Sequence, residues 1–273
     1  MRVESVRHAL SGYRPDRLAR RGTVWGRLCA ERSFHAARTG ISPGHTTARR
    51  GRILAYHSIG TPKWGLNDVR PRDFERHLQV AADQGWSFVT PAEVLAEPDK
   101  QQLALTFDDG LTSVLTTAVP VLRHHGIPAT AFVVTGWADH APPGFEGLVL
   151  DWRGVTALGD SGLTLASHSV THPDFGRLGS AEARRELEES RERMRQMLGI
   201  VTDEFAIPLG QSGNWTEAAG QAAAGAGYRT VYAQSVNTRP AGTIPRTFIT
   251  RIDKPVLFRA ALAGAYDNWE ESC

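Results

Sequence analysis

The chain has 273 residues, of which 41% are hydrophobic and 22% are charged, with a formal net charge of +2. This composition is typical of a globular protein with one large domain or two small ones, and it excludes low-complexity and collagen-like chains. No apolar stretch approaches the roughly 18 to 20 residues that a membrane-spanning helix needs. Only two cysteines are present, one near each terminus, so we expect no disulfide framework.

Residues 1–50 form a basic leader. They contain eleven arginines, no lysine and three carboxylates, a net charge of +8 that leaves −6 for the rest of the chain. The acidic remainder argues against nucleic-acid binding by the main domain. The pattern predicts a flexible or weakly helical peripheral segment, with contact to an anionic membrane or protein surface as the alternative. Arginine interrupts the segment too often for a signal peptide, so we expect a cytoplasmic protein.

From residue 52 onward, strands alternate with helices. Short apolar, β-rich runs predict eight strands, at 52–56, 86–89, 103–107, 129–134, 163–166, 204–207, 228–232 and 247–252. Amphipathic patterns between them predict helices, of which 181–198 is the clearest and the alanine-rich 216–226 is a weaker one. This alternation indicates an α/β fold with a parallel sheet, and we favour a barrel formed by residues 51–273 as one domain.

Polar residues follow several of these predicted strands. His57 follows the first strand, Asp108 and Asp109 follow the third, His168 follows the fifth, and Arg251 lies at the end of the last. In a parallel barrel the carboxyl ends of all strands open on one face, where catalytic groups gather. The sequence therefore predicts a single site on that face.

Two motifs carry the chemistry of this site. The segment Thr106–Gly110 holds two adjacent carboxylates, and residues 168–172 hold two imidazoles at a spacing that one helical turn would point the same way. One carboxylate and two imidazoles make a three-ligand site for zinc or a similar divalent metal, with room for a water. The other carboxylate would take the proton of that water. Each motif alone has a structural explanation, a turn or a chance pair on a helix, but their joint placement favours a metal-dependent hydrolase.

Over about residues 52–266 the chain resembles the NodB-type polysaccharide deacetylases, carbohydrate esterase family four. Thr106–Gly110 matches the first motif of that family, residues 168–173 match the second, and Phe205–Gly210 is similar to the third. The resemblance implies a distorted (β/α) barrel of seven or eight mostly parallel strands. It also implies hydrolysis of N-acetyl groups on amino sugars with a divalent metal, most often zinc, with cobalt, nickel or manganese as alternatives.

The resemblance also assigns roles by position. It implies that Asp109, His168 and His172 are the metal ligands and that Asp108 is the general base. The backbone N–H of Leu209 would be the oxyanion donor. A main-chain donor does not depend on the side chain, so leucine in place of the usual aromatic residue need not remove it.

The chain departs from the family pattern at two places. The arginine that orients the base in the usual third motif is absent, and Arg251 or Arg246 are the candidates to replace it. No histidine follows His172, although the family places a general-acid histidine late in the chain. His57, after a tyrosine at the end of the first strand, is the best replacement. This arrangement looks like that of the poly-N-acetylglucosamine deacetylases, whose motif order is circularly permuted.

Substrate contacts are harder to assign. Flat aromatic faces suit sugar rings, and Trp137 and Trp152 lie in segments that could line the mouth of the barrel. Asn214 and Trp215, just after the third motif, are the better candidates, together with Arg251.

Three hypotheses follow. The first is a metal-dependent hydrolase that releases acetate and a free amine from an N-acetylamino sugar of a glycan or glycoconjugate. The second keeps the site but takes a cytosolic substrate, such as a glycosylated metabolite or a lipid- or nucleotide-linked sugar. The third is a catalytically silent carbohydrate-binding protein on the same scaffold.

Overall fold

A computed structural model describes residues 18–41, 51–234, 242–267 and 270. Within these ranges the chain forms ten strands, numbered in chain order: β1 (Arg52–Tyr56), β2 (Ser58–Ile59), β3 (Asp68–Val69), β4 (Ser87–Phe88), β5 (Gln102–Phe107), β6 (Ala129–Val133), β7 (Thr164–Ser167), β8 (Glu204–Ala206), β9 (Thr230–Gln234) and β10 (Ile244–Phe248).

The same ranges contain nine α-helices: α1 (Leu18–Ile41), α2 (Pro71–Asp83), α3 (Pro91–Ala96), α4 (Val119–His125), α5 (Thr135–Asp139), α6 (Trp152–Asp160), α7 (Ser180–Leu198), α8 (Glu217–Ala226) and α9 (Pro255–Leu262). The predicted helices at 181–198 and 216–226 correspond to α7 and α8. Both end on a glycine in the left-handed conformation, Gly199 and Gly227.

Strand β1 closes the barrel because it pairs with two partners. Leu54 lies opposite Leu105 of β5 on one side and opposite Thr247 of β10 on the other, both in parallel register. The order β1-β10-β9-β8-β7-β6-β5 then returns to β1, while β4 pairs with the first residues of β5. The barrel thus has seven parallel strands and one additional strand. This confirms the predicted distorted (β/α) barrel and puts the carboxyl ends of its strands on one face.

Alternate strand residues divide the core into two layers. Leu54, Leu105 and Phe107 belong to the large apolar cluster between the strands and the surrounding helices. A smaller cluster, formed by the intervening strand residues and by Val94 of α3, contains Ile53, Val94, Ala104, Phe132, Ala166, Ala206 and Tyr232. A barrel filled in this way is a packed core rather than a pore.

The last strand differs from its prediction. β10 ends at Phe248 rather than at residue 252, so Arg251 and Asp253 lie in the following loop and Arg246 lies inside the strand. The cause is local. The Asp253 carboxylate accepts hydrogen bonds from the backbone N–H (2.7 Å) and hydroxyl (2.9 Å) of Thr250, and these bonds form a turn.

Part of the basic leader is ordered against the barrel. Residues Leu18–Ile41 form α1, which packs on α9, and both Leu28 and Arg32 of this helix are buried. The helix agrees with the helical alternative predicted for the leader, but the burial of Arg32 is not expected of a peripheral segment. The division of the chain at residue 50 stays a prediction, and residues 1–17 and 42–50 lie outside the described residues. No helix within the described ranges combines the length and apolar character required to cross a membrane.

Candidate active site

Three predicted metal ligands meet at the carboxyl ends of β5 and β7. Asp109 Oδ1 lies 3.6 Å from Nε2 of His168 and 3.5 Å from Nε2 of His172. One ligand atom of each residue lies within 4.8 Å of the others. Asp109 and His168 are buried and His172 is partly buried. The structure therefore brings together the carboxylate and the two imidazoles that the motifs predicted.

The donor atoms fit a divalent cation. Asp109 Oδ1 is buried and has no hydrogen-bond partner among the described residues. Burial and the neighbouring charge of Asp108 raise the pKa of Asp109 well above its usual range, and a cation at this position would favour the ionised carboxylate. The Ala206 carbonyl lies 2.8 Å from Nδ1 of His168 and can accept a hydrogen bond from an N–H at that atom. In this tautomer Nε2 carries the free lone pair and faces Asp109. Nitrogen and oxygen donors in this number suit zinc.

The loop that carries the two histidines is not helical. Ser169 and His172 have φ angles of 70° and 59°, in the left-handed region, so the predicted helical turn is wrong. The Ser169 hydroxyl instead accepts a hydrogen bond from the backbone N–H of His172 at 3.0 Å. A tight loop thus brings both rings to one point.

Two side chains of helix α7 form hydrogen bonds with this loop. The Glu186 carboxylate accepts three hydrogen bonds of 2.9 Å, from the backbone N–H groups of Val170 and Thr171 and from the Thr171 hydroxyl. One turn later, the Ser190 hydroxyl donates to the Ser169 carbonyl at 3.0 Å. Sequence analysis missed both residues, because only their four-residue spacing on an otherwise charged helix marks them.

The substitution Glu186→Gln is expected to weaken metal binding by about 10- to 100-fold, as is common when the groups that orient ligands are changed. Glutamine keeps one oxygen for the two loop N–H groups, but it loses the carboxylate charge that strengthens these bonds, and its NH₂ group cannot accept from the Thr171 hydroxyl. Competition with a chromophoric chelator would measure the affinity for zinc and cobalt. Glu189→Gln on the exposed side of α7 is the matched control. Equal affinities for the two variants would show that Glu186 does not hold the ligand loop.

Asp108, next to Asp109 in the chain, has an arginine as its partner. Arg246 donates from Nη1 to Oδ1 at 2.7 Å and from Nη2 to Oδ2 at 2.8 Å, a bidentate ion pair. Its guanidinium lies over the rings of Phe132 (5.1 Å) and Tyr232 (5.9 Å) inside the barrel. Burial alone would raise the pKa of Asp108, but Arg246 and the nearby His168 outweigh burial and hold this pKa well below its usual range. Asp108 is therefore ionised at neutral pH.

Of the two arginines considered as partners of the base, the structure selects Arg246. The backbone N–H of Arg251 donates to the Leu66 carbonyl at 2.8 Å, in the loop after β10. The predicted contact of Arg251 with substrate stays a prediction.

His57 follows β1 directly and borders the carboxylates. The backbone N–H of Asp108 donates to the Tyr56 carbonyl at 2.9 Å, which joins the ends of β1 and β5. The His57 ring is buried and packs edge-to-face on Phe248, with ring centroids 4.8 Å apart. Burial lowers the pKa of His57 to about 4, although the Asp108 charge acts in the opposite direction. The imidazole is therefore neutral at pH 7 in this state.

Leu209 lies in the turn after β8. Its φ is 65°, again left-handed, and its side chain is half exposed. Three residues earlier, the Ala206 carbonyl contacts His168. The turn that contains the Leu209 N–H therefore begins beside His168, one of the predicted metal ligands.

Asn214 and Trp215 are held by contacts within the fold. Asn214 donates from its amide to Asp174 at 3.0 Å and accepts from the backbone N–H of Gln211 at 3.1 Å, so its side chain closes a loop. Trp215 is 8% exposed and packs against Phe175 and Phe205. Both side chains therefore have structural contacts, and their predicted contact with substrate stays a prediction.

An aromatic wall lies beside His172 instead. The Trp137 ring is centred 5.5 Å from the His172 ring and 6.2 Å from Phe145, which in turn contacts Trp64 at 5.1 Å. Trp137 and Phe145 are only partly buried. Trp152 donates from its indole to Asp139 at 2.6 Å. Trp137 is thus the tryptophan of this group that borders the predicted metal ligand His172.

Comparisons with known proteins give one family. Residues 96–231 match the polysaccharide deacetylase family. YxkH of Bacillus subtilis is 26% identical over 196 residues, 69% of this chain and 64% of that protein. The chitooligosaccharide deacetylase of Sinorhizobium fredii is 34% identical over 92 residues, 33% of this chain and 38% of that protein. The chain thus spans less than two thirds of the length of these relatives.

The solved structures give the same fold. The deacetylase PplD of Streptococcus pyogenes superposes with a TM-score of 0.65 at 24% identity, over 77% of this chain and 97% of that one. The circular permutation of the motif order stays a prediction. With the barrel, the matched region and these relatives together, the chain contains a polysaccharide deacetylase domain, of the NodB type of carbohydrate esterase family four.

Proposed function

We propose that the protein is a metal-dependent deacetylase that hydrolyses the N-acetyl group of an amino sugar and releases acetate and a free amine. One observation carries this proposal. Asp108 lies beside the three proposed ligands but pairs with Arg246, and His57 lies at the same end of the barrel. A base, an acid and a cation site on one face are the groups that amide hydrolysis requires.

Asp109, His168 and His172 would hold the cation. When bound, zinc or a similar ion supplies a Lewis acid for the acetyl carbonyl and makes water easier to deprotonate. Asp108 takes a proton from the attacking water. The bidentate ion pair with Arg246 fixes the orientation of the Asp108 carboxylate, and the low pKa of Asp108 keeps it ionised. The Leu209 N–H is the proposed donor to the oxyanion.

The leaving nitrogen needs a proton before the amine can depart. His57 is neutral at pH 7 and therefore does not start the reaction as an acid. The proton removed from water by Asp108 is the one available to His57, and His57 would deliver it to the nitrogen. Water thus supplies a hydroxyl to the acetyl carbon and a proton to the amine, which balances the hydrolysis.

An N-acetylamino sugar is the proposed substrate class. The name of the chitooligosaccharide deacetylase that the chain matches supports this class. The partly exposed Trp137 and Phe145 offer flat faces beside His172 on which a sugar ring can stack. A cytosolic glycosylated metabolite or a lipid- or nucleotide-linked sugar, as expected for a cytoplasmic protein, is the second candidate.

Removal of the metal is expected to abolish acetate release, and one equivalent of zinc, cobalt, nickel or manganese is expected to restore it. Mass spectrometry would follow N-acetylglucosamine oligomers and single-sugar conjugates before and after treatment with a chelator. Activity that survives complete chelation would contradict the metal-dependent mechanism. Activity confined to single-sugar conjugates would reject a polymer substrate, and glycan binding without turnover would support the silent binding protein.

A further inference from the structure

Helix α1 contacts the barrel through a fully buried side chain. Arg32 is 1% exposed, and its Nη1 lies 2.5 Å from both carboxylate oxygens of Asp253. Its Nη2 donates to the Phe248 carbonyl at 2.9 Å, and its guanidinium lies 4.6 Å from the centre of the Tyr266 ring. Such a desolvated guanidinium, with a carboxylate, a carbonyl and an aromatic face as partners, differs from an exposed surface ion pair.

One of these partners supports the proposed acid. Phe248 is the last residue of β10, and its ring packs edge-to-face on His57. Nδ1 of His57 is buried without a hydrogen-bond partner among the described residues. Because no hydrogen bond in the described residues fixes Nδ1, contact with the Phe248 ring is one of the constraints on the orientation of the imidazole. Arg32 therefore bonds the backbone of the residue whose ring contacts His57.

A second route leads from the same arginine to β1. The Asp253 carbonyl accepts a hydrogen bond from Nε2 of His77. Burial lowers the pKa of His77, so this imidazole is neutral, and its Nδ1 accepts the Tyr56 hydroxyl at 3.1 Å. Tyr56 directly precedes His57 in the chain. Asp253 thus links Arg32 to the residue next to His57.

We propose that Arg32 is a positioning residue for His57, so that helix α1 completes the catalytic site rather than only stabilising the domain. This inference rests on the proposed function in assigning His57 the role of acid. Arg32 does not touch the reacting atoms. It acts through Phe248 and, by way of Asp253 and His77, through Tyr56.

Kinetics of three variants of the full chain test this role. Arg32→Ala is expected to lower kcat by about 10- to 100-fold, the scale expected from a small displacement of a catalytic group. KM and bound metal should change by less than about twofold, since neither depends on His57. Arg27→Ala is the control on the same helix, because Arg27 is largely exposed and pairs with Glu31 one turn away. A wild-type kcat for Arg32→Ala, measured below its melting transition, would overturn the proposal.

The conservative variant separates positioning from stability. Arg32→Lys keeps a positive charge opposite Asp253, but it lacks the second nitrogen that bonds the Phe248 carbonyl. We expect a melting temperature near that of the wild type and a kcat that stays low. A lysine variant as active as the wild type would equally overturn the proposal.

A spectroscopic measurement distinguishes failure of this proposal from failure of the proposed function. The Cε1–H signal of His57, identified by its loss in His57→Gln, reports ring currents from Phe248 in protein without substrate. It should shift in Arg32→Ala and Arg32→Lys and remain in place in Arg27→Ala. An unmoved signal would refute the positioning role whatever the activity. A shifted signal in a protein that releases no acetate would refute the deacetylase function alone.

Discussion

Replacement of Asp108 by asparagine is expected to lower the rate of acetate release by about 10²- to 10⁴-fold, the range typical for loss of a general base. The amide keeps the size of the side chain and one accepting oxygen, but it cannot take a proton from water. The proposed metal ligands are unchanged, so bound metal should remain. Turnover, measured as acetate released, and metal content, measured by elemental analysis, are the two readouts.

Loss of stability must be separated from loss of the base. Removal of one partner of a buried ion pair typically costs about 3–5 kcal/mol, and Asp108 pairs with a buried Arg246. Asp267→Asn is the matched control, because Asp267 is an equally buried partner of Arg52, at the opposite end of β1 from His57. Both variants should melt at lower temperatures, and only Asp108→Asn should lose activity. Near-normal turnover of a metal-loaded Asp108→Asn protein would show that Asp108 is not the base.

The substitution His57→Gln should lower kcat by about 10²- to 10⁴-fold on an N-acetylamino sugar and by much less on p-nitrophenyl acetate. The nitrogen of a sugar amide must be protonated before it leaves, whereas nitrophenolate leaves without a proton. Comparison of the two substrates therefore isolates the acid step from attack by water.

His124→Gln serves as the control for this comparison, because His124 is an exposed residue of α4. It should behave as the wild type on both substrates. If His57→Gln slowed both substrates equally, His57 would act in binding or attack instead of in departure of the amine.

The barrel could be predicted because its signals are local. Each predicted strand is a short apolar run, and the glycines that end α7 and α8 stand at the expected positions. The end of β10 at Phe248 was harder to predict from the sequence. The run from Thr247 to Ile252 looks like a strand, and only the side-chain bonds between Asp253 and Thr250 explain why it turns away.

The ligand set could also be predicted, but the residues that support it could not. Asp108 and Arg246 are 138 positions apart, and Arg32 and Asp253 are 221 positions apart. No spacing rule connects residues at such distances. Arginines in a basic leader look like surface residues, so the burial of Arg32 depends on a carboxylate that only the folded chain places opposite it.

The histidine motif shows a different limit. A spacing of four residues fits one helical turn, yet the same spacing fits a loop in which Ser169 and His172 are left-handed. The motif predicted which atoms meet without predicting the backbone that brings them together. Asn214 and Trp215 are candidate substrate contacts only because they follow the third motif closely in the chain. In the fold the Asn214 side chain closes a loop, and Trp215 packs in a core cluster.

The left-handed residues also bear on the evolution of the protein. Asp109, Ser169, His172 and Leu209 are the described non-glycine residues with positive φ, and all four lie at the site or in the turn beside it. Such conformations cost of order 1–3 kcal/mol each. Selection for thermal stability alone would therefore favour glycine at these positions, and at Asp109 and His172 it would remove two of the proposed metal ligands. Heat resistance and the proposed metal binding thus impose opposing selection at these two residues.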